Sequence, residues 1–404
     1  MWESVLCHMT SDPIDESRLF TPRFFLMCGF SFTVFLAAFQ LFPTAPFRIL
    51  ALGGSGSIAG MFLGLMTYTS AVAAPFTGAL GDRVGKRRVL VISSVAAALF
   101  SAGYAVTTSV TLLLAIVAVH GVFWSALLTS AGAYLVDIIP AHRRAEGIGY
   151  YGLSTVLAIA VAPSIGLGIY GLGWAAVCLS AGMLNLIMAA IAYRLREDRP
   201  HAGHERPFTI RGALEWRVIV MAITLCLYAF GYGGVTSFAA LYATANGVTP
   251  SGIYFIVFAA TSMSAGLIAG PIGDRIGHTR LLAPALLLIA IGYALLAVSG
   301  TRGWLVTSAV IFGLGFRASY QFFIAHVLRH VAASRRGAAF GGILAAFDTG
   351  IGSGSIVMGW MIDRYGFRHA FATAACLAVA AIPYFYVANR MVWGADVRLK
   401  PEAT

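Results

Sequence analysis

Gly78-Ala-Leu-Gly81-Asp82-Arg83-Val-Gly85-Lys86-Arg87-Arg88-Val-Leu90 returns 192 residues later as Gly270-Pro-Ile-Gly273-Asp274-Arg275-Ile-Gly277-His278-Thr279-Arg280-Leu-Leu282, with seven of the thirteen positions identical. The same offset carries Gly121 to Gly313, Arg143-Arg144 to Arg335-Arg336, and Gly149 to Gly341. Unrelated coincidences would not share one offset across three segments, so the chain is a tandem duplication. Each copy of the motif lies between two long apolar runs, and those runs decide the environment.

Of the 404 residues, 59% are hydrophobic and 11% charged, against about 25% charged in a typical soluble domain. Crossing a bilayer takes about 20 apolar residues. Runs of that length fall near 22–45, 55–78, 89–108, 111–135, 147–170 and 172–193, then near 217–243, 251–272, 280–299, 303–328, 337–361 and 368–390. The expectation is an all-α membrane protein of twelve spans. Its parts are a cytoplasmic tail (1–21), a six-helix bundle (22–193), a polar linker (194–216), a second bundle (217–390) and a second tail (391–404). The five cysteines are scattered and never spaced CxxC, which argues against a disulfide framework and a metal site.

The net charge of +11 is distributed unevenly. Of 27 Lys and Arg, 22 fall on the side of the N-terminus, only Arg48, Arg302, Arg364 and Arg368 fall opposite, and Arg317 lies inside a span. Under the positive-inside rule this places both termini in the cytoplasm, in the plasma (inner) membrane. Short basic clusters between spans serve orientation, so no nucleic-acid partner is expected.

Two parallel six-span repeats around a central path form a transporter architecture. The motif resembles the signature of the major facilitator superfamily after span 2, in Gly78, Leu80, Asp82, Arg83, Gly85, Lys86, Arg87 and Leu90. The resemblance covers essentially the whole chain. It implies a monomeric carrier whose Asp82 docks on the start of span 11 and whose Lys86 pairs with Asp137. Those contacts would hold the cytoplasmic side closed. Gly78, Gly81 and Gly85 suit a tight reversal within a loop of about ten residues. In the second copy, Gly273, Asp274, Arg275 and Gly277 persist, but His278 replaces the lysine and Arg329 occupies the position of Asp137. That leaves Asp274 to pair with Arg329, in a gate unlike the first.

Asp348 is the one acid in mid-span, and Arg317 the one base. Counted from the span ends, both lie at about the same depth, near the midplane. If spans 10 and 11 are neighbours, the two charges meet. They then form either a cavity pair in which Asp348 takes up a proton, or a closed structural ion pair. Gln321 and His120 are further polar candidates in spans; a lone His there either bonds a neighbouring helix or titrates.

Span 5 carries Ala158-x-x-x-Ala162-Pro163-Ser164-Ile165-Gly166, which is similar to the antiporter signature of the drug:proton branch, with alanines for both early glycines and Leu167 for the final one. The resemblance implies proton-coupled efflux of a small amphipathic or cationic molecule. The alternative on the same fold is an uptake symporter or facilitator for a metabolite, sugar or chelator. A receptor or intramembrane enzyme is more remote, because no P-loop, nucleophile elbow or HExxH occurs. No cofactor is expected, and the proton gradient would supply the energy.

Overall fold

The computed structural model describes residues 19–140, 143–196, 216–298, 300–331 and 336–397. The first half holds α1 (Pro22–Ala51), α2 (Gly56–Val84), α3 (Lys86–Val106), α4 (Val110–Ile138), α5 (Arg144–Tyr170) and α6 (Trp174–Arg194). The second holds α7 (Trp216–Ala245), α8 (Ile253–Ile276), α9 (His278–Val298) and α10 (Arg302–Arg329). The final helical run, Arg336–Val397, breaks at Gly366 (φ 82°), which divides α11 (336–365) from α12 (367–397). Twelve helical segments result, as the apolar runs predict. Most of both tails and of the polar linker, with Arg335, lies outside the described residues.

Local chemistry starts these helices. Thr21 Oγ1 accepts the Phe24 N–H at 3.2 Å, with Pro22 at the first helical position. Ser55 caps α2 by accepting from the Ile58 N–H at 3.2 Å. The repeated motif is tighter than the expected loop of about ten residues. Gly85 alone separates α2 from α3, with φ 103° and its N–H donating to the Gly81 carbonyl at 3.1 Å. Gly277 repeats this between α8 and α9, with φ 101° and a 2.9 Å bond to the Gly273 carbonyl. Only glycine takes that backbone conformation without steric cost, so the final Gly of each motif sets the reversal.

Within the first half α1 packs on α5 and α6, α2 on α4, and α3 on α4 and α6. The second half follows the same plan, with α7 against the α11–α12 run, α8 on α10, and α9 on α10 and that run. Across the halves α2 meets α11, α5 meets α8 and α1 meets α7. α10 rests mainly on α8 and α9 and only lightly on the α11–α12 run. Large apolar side chains such as Leu99, Leu179 and Leu267 are exposed on the outside, as suits a surface facing lipid.

Candidate functional site

The two halves meet most closely on the face opposite the basic clusters. At the end of α11 the Asp363 carboxylate accepts the first two N–H groups of α2, from Gly56 at 2.7 Å and Ser57 at 2.9 Å. A helix N-terminus presents unsatisfied donors and a positive dipole end, so a carboxylate is the natural partner. Deeper in, Ser355 Oγ donates to the Gly60 carbonyl at 2.8 Å and lies 2.7 Å from Ser237 Oγ on α7. Deeper still, the Tyr68 hydroxyl bonds Ser353. Glycines make this approach possible: a Cβ on Gly56 would lie 2.6 Å from Asp363 Oδ1, and one on Gly60 2.7 Å from the Ser355 carbonyl carbon. The α5–α8 contact on the same face is lighter, with Ser164 Oγ donating to the Gly252 carbonyl at 3.2 Å.

Asp363-Arg364-Tyr365-Gly366 is a third Asp-Arg-x-Gly, and Gly366, like Gly85 and Gly277, has a positive φ (82° against 103° and 101°). The 192-residue offset does not reveal it, because it carries Asp363 to Gly171 and Gly366 to Trp174, and the outer turn of the first half lacks the motif. Its sequence alone was a sufficient signal.

On the basic face the halves share no hydrogen bond among those described. Asp82 and Arg83 are exposed, and Asp82 contacts no described partner. Among the described residues, the expected docking of Asp82 on the start of α11 is not present. Cβ positions on Gly78, Gly149, Gly270 and Gly341, one on each of α2, α5, α8 and α11, meet no atom within 4 Å. At these four points on the basic face no atom of the other half packs against the helix. Lys86 does pair with Asp137, within the first half. Gly81 packs under Ser130 of α4.

The second turn corrects the expected Asp274–Arg329 pair. Asp274 instead faces His278 one turn along, at 3.6 Å, while Arg329 and Arg275 are exposed. Gly273 lies beneath Phe322 and His278.

In mid-membrane, Arg317 and Asp348 keep the predicted depth, twelve residues or about 18 Å from the basic-face ends of α10 and α11. They do not form an ion pair. The reason is topological: α10 and α11 follow one another in sequence but are not close neighbours, so equal depth does not bring the charges together. Arg317 lies instead on α8, where its Nε would be 3.1 Å from a Cβ on Gly266. One turn away, Gln321 Nε2 donates to the Gly266 carbonyl at 3.2 Å, and its Oε1 is buried without a partner. Tyr320 is within electrostatic reach of both Arg317 and Asp348. An aromatic wall adjoins them, with Phe316 stacked on Tyr232 at 4.4 Å and Phe347 at 5.4 Å from Tyr320. Asp348 lies one turn towards the basic face from Gly352 and Ser353, where the closed zone ends.

His120 lies elsewhere, inside the first bundle. It is 5% exposed, and its Nδ1 is 2.9 Å from the Tyr104 hydroxyl on α3. In α5, Ala158 and Ala162 are fully buried and pack beside Leu36 of α1, Pro163 lies within the helix, and a Cβ on Gly166 would be 2.6 Å from the Gln40 carbonyl. This stripe joins α5 to α1 within one half, and Ser164 beside it reaches across to Gly252. Gly266, Phe316 and Phe347 were not singled out by sequence, because glycines and phenylalanines are common here and nothing marks which ones face the centre.

A family model described as Major Facilitator Superfamily matches residues 25–265 and 221–397. The chain is 23% identical over 361 residues to the staphylopine export protein of Staphylococcus aureus (strain Mu50), covering 83% of this chain and 88% of the relative. It is 22% identical over 368 residues to an uncharacterised MFS-type transporter of Methanocaldococcus jannaschii, covering 86% and 93%. Among solved structures it resembles the nucleoside transporter NupG, with TM-score 0.75, 14% identity and coverage of 91% and 99%. It also resembles a bacterial homolog of the human lysosomal transporter Spinster in an inward-facing and occupied conformation, with TM-score 0.73, 15% identity and coverage of 94% and 98%. At such identities the structural likeness establishes the fold.

Proposed function

Because this chain belongs to the Major Facilitator Superfamily, a family of multi-pass membrane transporters, we propose that it is a proton-coupled secondary transporter of a small amphipathic molecule. It works by alternating access as a monomer. The basic face is cytoplasmic, with both termini there, and the membrane is the plasma (inner) membrane; the uneven distribution of Lys and Arg supports this orientation.

One observation carries the reading. α2 and α11 are joined on the outer face by Asp363, Ser355 and Tyr68, while Asp82 on the inner face has no described partner. The two carboxylates are alternative latches. Asp363 holds the outer face shut in this state. In the opposite state Asp82 docks on the start of α11 and Asp363 releases α2. Gly78, Gly81, Gly85 and the Lys86–Asp137 pair shape the first inner turn, and the second turn, with Asp274 on His278, contributes a weaker one. Asp348 is the proton carrier, and Arg317 and Gln321 belong to the cargo site.

Export is favoured by the small-residue stripe of α5 (Ala158, Ala162, Pro163, Gly166) and by the likeness to a staphylopine export protein. Uptake by cotransport is the second reading, favoured by an Arg317 that lacks an acidic partner. A thermal-shift screen supplies ligands, and each hit is added to proteoliposomes containing a pH-sensitive dye. Proton movement opposite to the hit indicates exchange and export; movement with it indicates cotransport. Flux of hits without proton movement, or with full pH dependence retained in Asp348→Asn, would refute the proton role. Absence of flux for every hit would refute the transporter reading itself.

A further inference from the structure

Arg317 poses an electrostatic problem, because it has no close counter-charge among the described residues. Its guanidinium stays protonated under all ordinary conditions and offers five donors. Among the described residues no carboxylate pairs with it. An unpaired charge at mid-membrane costs roughly 2.5–3.5 kcal/mol on insertion scales. While the central space opens to one face, water can solvate the group. When both faces close during transport, that water must leave, and Arg317 then needs a counter-ion. Only two are at hand: Asp348 in its charged form, or an anionic group on the cargo.

The surroundings favour cargo at this position. Gly266 has no side chain, which lets the Arg317 side chain lie directly against α8 and fixes its position at this depth. Gln321, one turn along, gives one amide N–H to the Gly266 carbonyl and holds Oε1 buried with no partner, an unsatisfied acceptor beside the charge. Phe316, Phe347 and Tyr320 supply an apolar wall beside the charges.

We infer that the cargo is a small aromatic or apolar molecule bearing a carboxylate or similar anionic group, held by Arg317, and that it binds together with a proton on Asp348. The inference rests on the transporter reading above, in its cotransport form. Its sign follows from charge balance. With Asp348 charged, the site is already neutral and an anion adds uncompensated charge. With Asp348 protonated, only Arg317 remains charged and an anion neutralises it. Anion and proton therefore cross as a neutral pair, and the empty carrier returns with Asp348 and Arg317 balancing each other through space. Tyr320 on α10 is within electrostatic reach of Asp348, and the other titratable or charged groups around it lie one contact away: Arg317 and Tyr228 reach Tyr320, Tyr232 packs on Phe347, Cys226 lies against Gly350 and Tyr68 bonds Ser353. None is a second acid or a histidine, so one carboxyl group carries the linkage.

Three probes of matched shape test it on the purified full chain in detergent: benzoate, benzyl alcohol and benzylammonium. Calorimetry in buffers of different ionisation enthalpy reads proton uptake. Benzoate is expected to bind, to take up one proton, and to gain up to about tenfold in affinity per unit fall in pH. Benzyl alcohol and benzylammonium should bind at least about tenfold more weakly. Arg317→Gln should abolish benzoate binding, and Arg317→Lys should retain it in weakened form, which separates charge from folding. Asp348→Asn, a fixed neutral form, should bind benzoate with no pH dependence. Benzylammonium binding as well as benzoate, proton release on benzoate binding, or pH dependence persisting in Asp348→Asn would each overturn the inference. Proton-linked flux of a cationic hit in proteoliposomes would do so while leaving the transporter reading intact.

Discussion

Asp363→Asn tests the outer latch with the smallest change available. Asp363 now accepts two N–H groups, at 2.7 and 2.9 Å, from the start of a helix that belongs to the other half. Asparagine keeps one acceptor oxygen, loses the second and removes the charge. A hydrogen bond to a charged group contributes about 1.5–3 kcal/mol. The residue is exposed at the membrane surface, so solvent reduces that figure towards about 1–1.5 kcal/mol. Because the contact exists only while the outer face is closed, its whole value shifts the equilibrium towards outward opening, by about five- to tenfold. The assay is labelling of Ser355→Cys, with native cysteines replaced, by a maleimide too polar to cross the membrane and added from the outer side. Ser355 is fully buried between α11 and α2, so its labelling rate follows the fraction of open molecules. Asp363→Asn should raise the rate about five- to tenfold without lowering the melting temperature appreciably. An unchanged rate, or a slower one, would show that the contact is incidental to the closed state.

Other consequences separate gating from stability. Gly60→Ala places a methyl against the Ser355 carbonyl between the halves, so it should favour outward opening and abolish transport while the protein still folds; retained flux argues against close α2–α11 contact. Gly354→Ala sets its methyl against Phe230 of α7 within one half, and should instead lower stability by about 1–3 kcal/mol in thermal unfolding. Asp82→Asn should leave Ser355→Cys labelling no faster than in the parent, because Asp82 has no described partner in this state, yet slow transport by weakening the opposite one. His120→Phe leaves the Tyr104 hydroxyl unpaired in a buried site, costing about 1–3 kcal/mol of stability, with the pH dependence of transport unaltered; an altered pH profile would restore His120 as a titrating site.

The sequence made the fold readable because bilayer thickness imposes a length on every span, and a single offset exposed the duplication. Depth was readable too, as Arg317 and Asp348 illustrate. Rotation about each helix axis and lateral neighbours were not, because they depend on packing between segments distant in sequence. The expected contact between those two charges failed on that point: α10 rests on α8 and α9, whereas α11 rests on α7 and α2. Asp363 is hidden for a different reason: the third Asp-Arg-x-Gly has no repeated partner, since the same offset carries it to Gly171–Trp174. The length of the motif's turn was likewise hidden, since Gly85 ends one helix and begins the next without any loop.

Alternating access makes the most direct demand on this account: the two faces must move in opposite senses. Spin labels at Leu172 and Arg302 report the outer face, and labels at Val84 and Ile276 the inner one, all at exposed positions. Their separations are measured by pulsed electron resonance in lipid nanodiscs across a range of pH. The account predicts that the outer pair lengthens as the inner pair shortens, with Asp348→Asn removing the pH dependence. Both pairs changing together, or neither changing, would contradict it.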